Sequence, residues 1–124
     1  MQTPTISQSA FITLASVNLA AQVEFYSAFL AIAPQPHAPT YAEFELPGLR
    51  LAIFSPKPSS AAEFTAANSG AMSICLEVND LNSAIARLKD LGHSPPKEIM
   101  HTSHGDEVYA YDPDGNRLIL HQSL

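Results

Sequence analysis

Few residues in this sequence are able to do chemistry, and their spacing narrows what that chemistry would be. Histidines stand at His37, His93, His101, His104 and His121. His101 and His104 form a His-x-x-His spacing on a Ser/Gly-rich loop, which offers two imidazoles to a metal. No third ligand is evident, and zinc normally takes three or four protein ligands. His121 stands alone near the C-terminus. A histidine acting as general base needs a partner that sets its tautomer, and the sequence names none. Arg50 and Arg117 each follow a turn glycine, Gly48 and Gly115, by two residues. Such guanidinium forks suit a ligand carboxylate or phosphate, or else reach solvent or pair with Glu77. Cys75 has apolar neighbours and reads as a small, inert wall residue, because a nucleophilic thiol needs a base or helix N-terminus beside it. Phe11, Phe54 and Tyr109 offer an aromatic lining for a flat ligand, or plain core.

These residues sit in a 124-residue chain with room for one domain. Hydrophobic residues make up 46% and charged residues only 15%, which excludes a disordered tail. Six basic and twelve acidic side chains give a net charge of −6, which disfavours nucleic acid and anionic membranes as partners. One cysteine excludes an internal disulfide and any multi-cysteine metal centre. Met1 to Ala10 shows no basic residue ahead of an apolar run, and no apolar stretch approaches the ~20 residues that span a bilayer. A soluble, cytoplasmic domain is the expectation.

The elements that must position the reactive residues occur twice. Phe11–Ala15 and Ser73–Val78 are short apolar runs whose first residues stand 62 positions apart. Each leads to an N-cap, Asn18 or Asp80, and then to a helical apolar stripe. The stripes are Leu19, Val23, Tyr26 and Leu30, and Leu81, Ile85, Leu88 and Leu91, which predict helices near 19–31 and 81–91. Strand signals follow at Thr40–Leu46 and Leu49–Phe54 around Pro47-Gly48. They recur at Glu107–Tyr111 and Asn116–His121 around Asp112-Pro113-Asp114-Gly115. Weaker strand signals lie near 35–38 and 96–100. The pattern is α+β: two βαβββ modules, 5–56 and 71–122, joined by a Ser/Ala/Pro-rich connector over 57–70, within a single domain 1–124.

Several of these residues carry a family resemblance. Val17-Asn18-Leu19 with Phe25-Tyr26, Val78-Asn79-Asp80-Leu81, and above all His104-Gly105 followed by Tyr109-Ala110-Tyr111-Asp112-Pro113-Asp114-Gly115-Asn116-Arg117-Leu118 resemble the vicinal oxygen chelate superfamily. That superfamily includes glyoxalase I, bleomycin-resistance proteins and extradiol dioxygenases. The resemblance covers nearly the whole chain and implies paired modules whose curled sheets surround a cavity, usually in a homodimer. Metal-dependent members place ligands on the first and last strands of each module. Those positions fall here on Phe11, Ala52, Ser73 and Ile119, of which three carry no donor and serine is a poor one. No metal and no cofactor are therefore expected.

With those four residues facing inward, strand alternation puts Thr13, Ala15, Arg50, Phe54, Cys75, Glu77, Arg117 and His121 on the same side. Ile12, Leu14, Leu51, Ile53, Ile74, Leu76, Leu118 and Leu120 fall on the other, under the helices. The ligand-binding residues expected are Phe11, Thr13, Arg50, Phe54, Ser73, His104, Tyr109, Arg117, Ile119 and His121, with His104 near the cavity mouth. No catalytic residue is assigned. The resemblance implies metal-independent binding or sequestration of a small organic molecule, anionic or aromatic. The alternatives are a lyase, isomerase or dioxygenase with atypical metal ligands, and a structural partner whose cavity is filled by its own side chains.

Overall fold

A computed structural model describes residues 3–65 and 69–124. The first module runs β1 (Ile12–Ala15), α1 (Leu19–Leu30), β2 (His37–Ala38), β3 (Tyr41–Leu46) and β4 (Leu49–Phe54). The second runs β5 (Ser73–Glu77), α2 (Leu81–Asp90), β6 (Met100–Thr102), β7 (Gly105–Tyr111) and β8 (Arg117–Ser123). Short 3-10 turns at Ala61–Phe64 and Ser69–Ala71 occupy the connector. Among the described residues, no helix is long and apolar enough to cross a membrane.

Each module forms one four-stranded mixed sheet, ordered β1-β4-β3-β2 or β5-β8-β7-β6, with the first strand parallel to the last and the other pairs antiparallel. The sheets do not close into a barrel, and the architecture is the α+β pair of βαβββ modules expected. The helices begin where a short side chain satisfies a free amide. Asn18 Oδ1 accepts from Ala21 N at 3.3 Å, and Asp80 Oδ1 from Ser83 N at 3.1 Å. The β6 pairing starts later than the 96–100 signal, since Pro95 and Pro96 have no N–H to give a ladder. The β2 ladder is likewise only His37–Ala38, although Gln35 N and Pro36 O bond Glu43 just outside it. Gly105 opens β7 at φ +150°, where a Cβ would lie 2.1 Å from Gln122 O, so no larger residue fits.

One apolar core serves both modules. Leu51 and Ile53 of β4 and Leu118 and Leu120 of β8 are buried against Leu19, Val23, Phe25 and Phe29 of α1 and Leu81 and Leu88 of α2. The opposite sheet faces stay largely accessible. Arg87 of α2 donates from Nη1 to Phe29 O at 2.8 Å, capping a carbonyl that α1 leaves free near its C-terminus.

The modules are locked together by a carboxylate. Asp112, 3% exposed, accepts from Tyr26 Oη at 2.7 Å, Gln22 Nε2 at 3.0 Å and Asn116 Nδ2 at 2.8 Å on Oδ2. Its Oδ1 accepts from the backbone of Asp114 at 3.0 Å and Asn116 at 2.9 Å. The Asp-Pro-Asp-Gly-Asn turn is thus more than a hairpin turn, because its first residue ties β7 to the helix of the other module. Burial, and then the Asp112 charge, push the Tyr26 hydroxyl far above its ordinary range, so it stays a donor. The equivalent place in the first module is apolar: Leu46 precedes the turn there, and Ala84 and Leu88 stand 62 residues on from Gln22 and Tyr26.

Removing the acceptor would strand two buried donors. Asp112→Ala should cost about 3 kcal/mol or more and Tyr26→Phe about 1–2 kcal/mol. Urea unfolding measures both, and a loss under 1 kcal/mol for Asp112→Ala would show that the network does not hold the modules.

Candidate functional site

Strand register decides which side chains meet on the accessible face of the second module. Three rows cross it: Ser73, Arg117 and Tyr111; then Cys75, Ile119 and Tyr109; then Glu77, His121, Glu107 and Met100. Arg117, Ile119 and His121 alternate along β8, so a guanidinium stands at one end of the strip and an imidazole at the other, with an apolar floor between. Arg117 Nη1 donates to Ser73 Oγ at 3.1 Å and to Gly70 O, and its guanidinium lies 6.0 Å from the Tyr109 ring.

The partner that sequence reasoning did not find for His121 is Glu77. His121 Nδ1 lies 2.7 Å from Glu77 Oε1, and the imidazole is only 16% exposed. A carboxylate can only accept, so Nδ1 carries the proton. Glu77 Oε2 accepts from Ser123 N at 2.8 Å and Ser123 Oγ at 3.0 Å. These bonds, with that from His121 the strongest, hold the Glu77 carboxyl below the usual range. The pairing was legible in outline: aligning β5 parallel to β8 from Ser73 and Arg117 puts Glu77 beside His121. Cys75 is exposed, and desolvation followed by the charges of Glu107 and Glu77 pushes its thiol up, so it is no thiolate nucleophile.

Of the residues expected on the first module, Thr13 approaches Ser73 and Arg117, and the others lie elsewhere. Arg50 sits with its guanidinium 4.4 Å from the Phe11 ring centre and its Nε 3.5 Å from Glu43 Oε2. Glu43 also accepts from Tyr41 Oη at 2.7 Å, a bond that raises the Tyr41 hydroxyl. The two arginines therefore match in register but not in surroundings. Phe54 packs edge-on to Phe64 of the connector, 5.2 Å between centroids, and Phe11 lies at the other end of the same sheet. With Tyr109 on the second sheet, the three rings form no single lining. Ala52, expected as cavity wall, is wholly buried. His104 lies on the exposed β6–β7 turn, 2.9 Å from Ser103 Oγ, while His101 bonds Asp106 at 2.7 Å. Thr13, Ser73 and Arg117 meet in a cleft of about 290 Å³ beside Phe64 and Met72.

The positions at which a metal would be held do not fit one. Phe11, Ala52 and Ile119 have no donor atom, and Ser73 Oγ is engaged by Arg117. Among the described residues, no three His, Cys, Asp or Glu side chains are placed to hold an ion.

The Glu77 pairing has a definite pH signature. A carboxyl whose folded pKa is depressed contributes stability that is present above its unfolded value of ~4.3 and is lost as pH falls through the folded value. The stability difference between the native chain and Glu77→Gln should be present above the carboxylate range and vanish in acid. A difference that instead grows below the carboxylate range would reverse this assignment.

Comparison with known proteins accords with this fold. A glyoxalase-related enzyme from Fulvimarina pelagi superposes with TM-score 0.75 at 22% identity, covering 94% of this chain and 89% of that one. A glyoxalase/bleomycin resistance protein from Catenulispora acidiphila gives 0.68 at 23%, covering 95% and 100%. Lactoylglutathione lyase from Agrobacterium tumefaciens gives 0.68 at 17%, covering 95% and 96%. At these identities the likeness is one of fold. No curated protein matches in sequence. The family model for the Glyoxalase/Bleomycin resistance protein/Dioxygenase superfamily, however, matches residues 8–120, nearly the whole chain. The chain belongs to that superfamily.

Proposed function

We propose that this chain binds a small organic molecule carrying an anionic group, without a metal, on the accessible face of its second module. The observation that carries this reading is the strip along β8. Arg117 stands at one end, over an apolar and aromatic floor of Ile119 and Tyr109, and none of the four ligand positions holds a metal donor set. A polar group above an otherwise apolar wall is the usual composition of a small-molecule site. Arg117 rather than Arg50 is the anchor, because Arg50 already faces the Glu43 carboxylate, whereas Arg117 meets the neutral oxygens of Ser73 and Gly70 and keeps its charge for a ligand. The open sheet faces support a homodimer in which a second copy completes the enclosure, and the absence of any need for disulfides supports a cytoplasmic setting. Lactoylglutathione lyase activity is not expected, since Phe11, Ala52 and Ile119 offer nothing to a metal.

Aromatic carboxylates, benzoate first, should raise the melting temperature by mass action. Arg117→Ala should weaken binding by about 1.5–3 kcal/mol, the worth of a charge-assisted hydrogen bond. Calorimetric titration measures the loss, and an unchanged affinity removes Arg117 from the site. Elemental analysis of untagged protein should find well under one equivalent of Zn, Ni, Fe or Mn, and adding these ions should give no turnover of the methylglyoxal–glutathione adduct. Sedimentation showing a monomer at micromolar concentration would remove the dimer.

A further inference from the structure

We infer that His121 is a general base, and that the face of the second module is a proton-transfer site for a carbon acid bearing an anionic group. The inference rests on the binding reading for the anionic group, while the base rests on its own geometry. It lies two residues beyond Ile119 on the same face of β8, and is itself none of the four positions at which the resemblance places metal ligands.

The imidazole is built in rather than merely present. Its Nδ1 donates to Glu77 over 2.7 Å, and both oxygens of Glu77 are occupied, one by His121 and the other by the Ser123 amide and hydroxyl. Three bonds to one carboxylate fix the ring plane and the tautomer, and they leave the Nε2 lone pair without a hydrogen bond among the described residues. A base oriented by a carboxylate is the arrangement that proton transfer requires. In the step itself the substrate C–H bond breaks, its electron pair stays on the substrate, and the proton moves to Nε2. The imidazolium so formed lies against the Glu77 carboxylate, and the reverse transfer restores the base. No oxidant, reductant or second substrate enters.

The other titratable groups on this face define the substrate. Glu107 stands opposite His121 on β7, Cys75 lies diagonally on β5 and Tyr109 diagonally on β7. Glu107 makes no hydrogen bond or ion pair through its side chain among the described residues, so this end repels an anion. The anionic group must therefore lie at the Arg117 end. Four residues of strand separate the two, about 13 Å between Cα atoms, before the long side chains shorten the gap. That span suits a compact, flat body resting on Ile119 and Tyr109.

Nitrobenzisoxazole tests the base directly, since one proton abstraction from its ring C–H breaks the N–O bond and releases a coloured cyanonitrophenolate. The native chain should react about 100-fold faster than free imidazole at equal concentration, a gain usual for a positioned base. The rate should fall with a single ionisation as the pH drops. His121→Gln should abolish the gain. Glu77→Gln should lower the rate about 10-fold and move the pH profile, the mark of a positioning residue, while exposed His37→Gln should leave both unchanged. Circular dichroism establishes that each variant is folded. A native rate no better than imidazole, or a gain retained in folded His121→Gln, overturns the proposal. Benzoate titrated on the same samples separates the two readings. Binding without rate gain discards the base and leaves the site, whereas rate gain without benzoate binding discards the anion anchor and leaves the base.

Discussion

The buried carboxylate of Asp112 is the interaction on which the arrangement of the two modules turns. A carboxylate taken out of water is costly unless every lone pair finds a donor, and here five hydrogen bonds converge on it. Two of them come from α1, an element ninety residues earlier in sequence and part of the other module. The contact therefore serves two purposes. It closes the turn between β7 and β8, setting the register of the strand that carries Arg117, Ile119 and His121, and it fixes α1 against the second sheet. It also accounts for Gln22, a wholly buried polar residue on an otherwise apolar helix face.

The repeat shows how one architecture tolerates two chemistries at the same place. The counterparts of Asp112, Gln22 and Tyr26 under the repeat are Leu46, Ala84 and Leu88, so a polar network at one seam between the modules is matched by apolar residues at the other. The polar solution places the Asp112 carboxylate and the Tyr26 hydroxyl in hydrogen bonds, and the apolar one buries no polar side chain at that place. The polar one adds direction, since hydrogen bonds to a fixed carboxylate tolerate only one docking of helix and turn, whereas aliphatic packing tolerates slippage.

The same logic separates the two faces of each sheet. The face beneath the helices has to be filled, and Leu51, Ile53, Leu118 and Leu120 fill it in both modules. The other face is under no such demand and has diverged. In the first module Glu43 pairs with both Tyr41 and Arg50, and Arg50 lies over the Phe11 ring. In the second, one end carries Arg117 and the other the Glu77–His121 pair, with neutral side chains between. Charge that is spread along a strip, rather than paired in place, distinguishes the second face from the first.

The sequence by itself determined the fold. Helical stripes, the two N-caps, the proline–glycine turns and the repeat are local signals, each a consequence of backbone sterics or of the need to bury apolar area. They placed both helices within a residue and identified the apolar faces of β1, β4, β5 and β8. Shorter strands drifted, β6 most, because prolines shift where a ladder can begin. What only the tertiary structure decided is pairing between residues far apart in the chain: Asp112 with Gln22 and Tyr26, Glu77 with His121, Arg50 with Phe11 and Glu43. Alternation along one strand tells which way a side chain points, and not what the neighbouring strand or helix sets opposite it. Two arginines in equivalent positions of a repeat are therefore indistinguishable in sequence. They differ in the folded chain because one has a carboxylate within reach of its Nε and the other has a hydroxyl and a carbonyl.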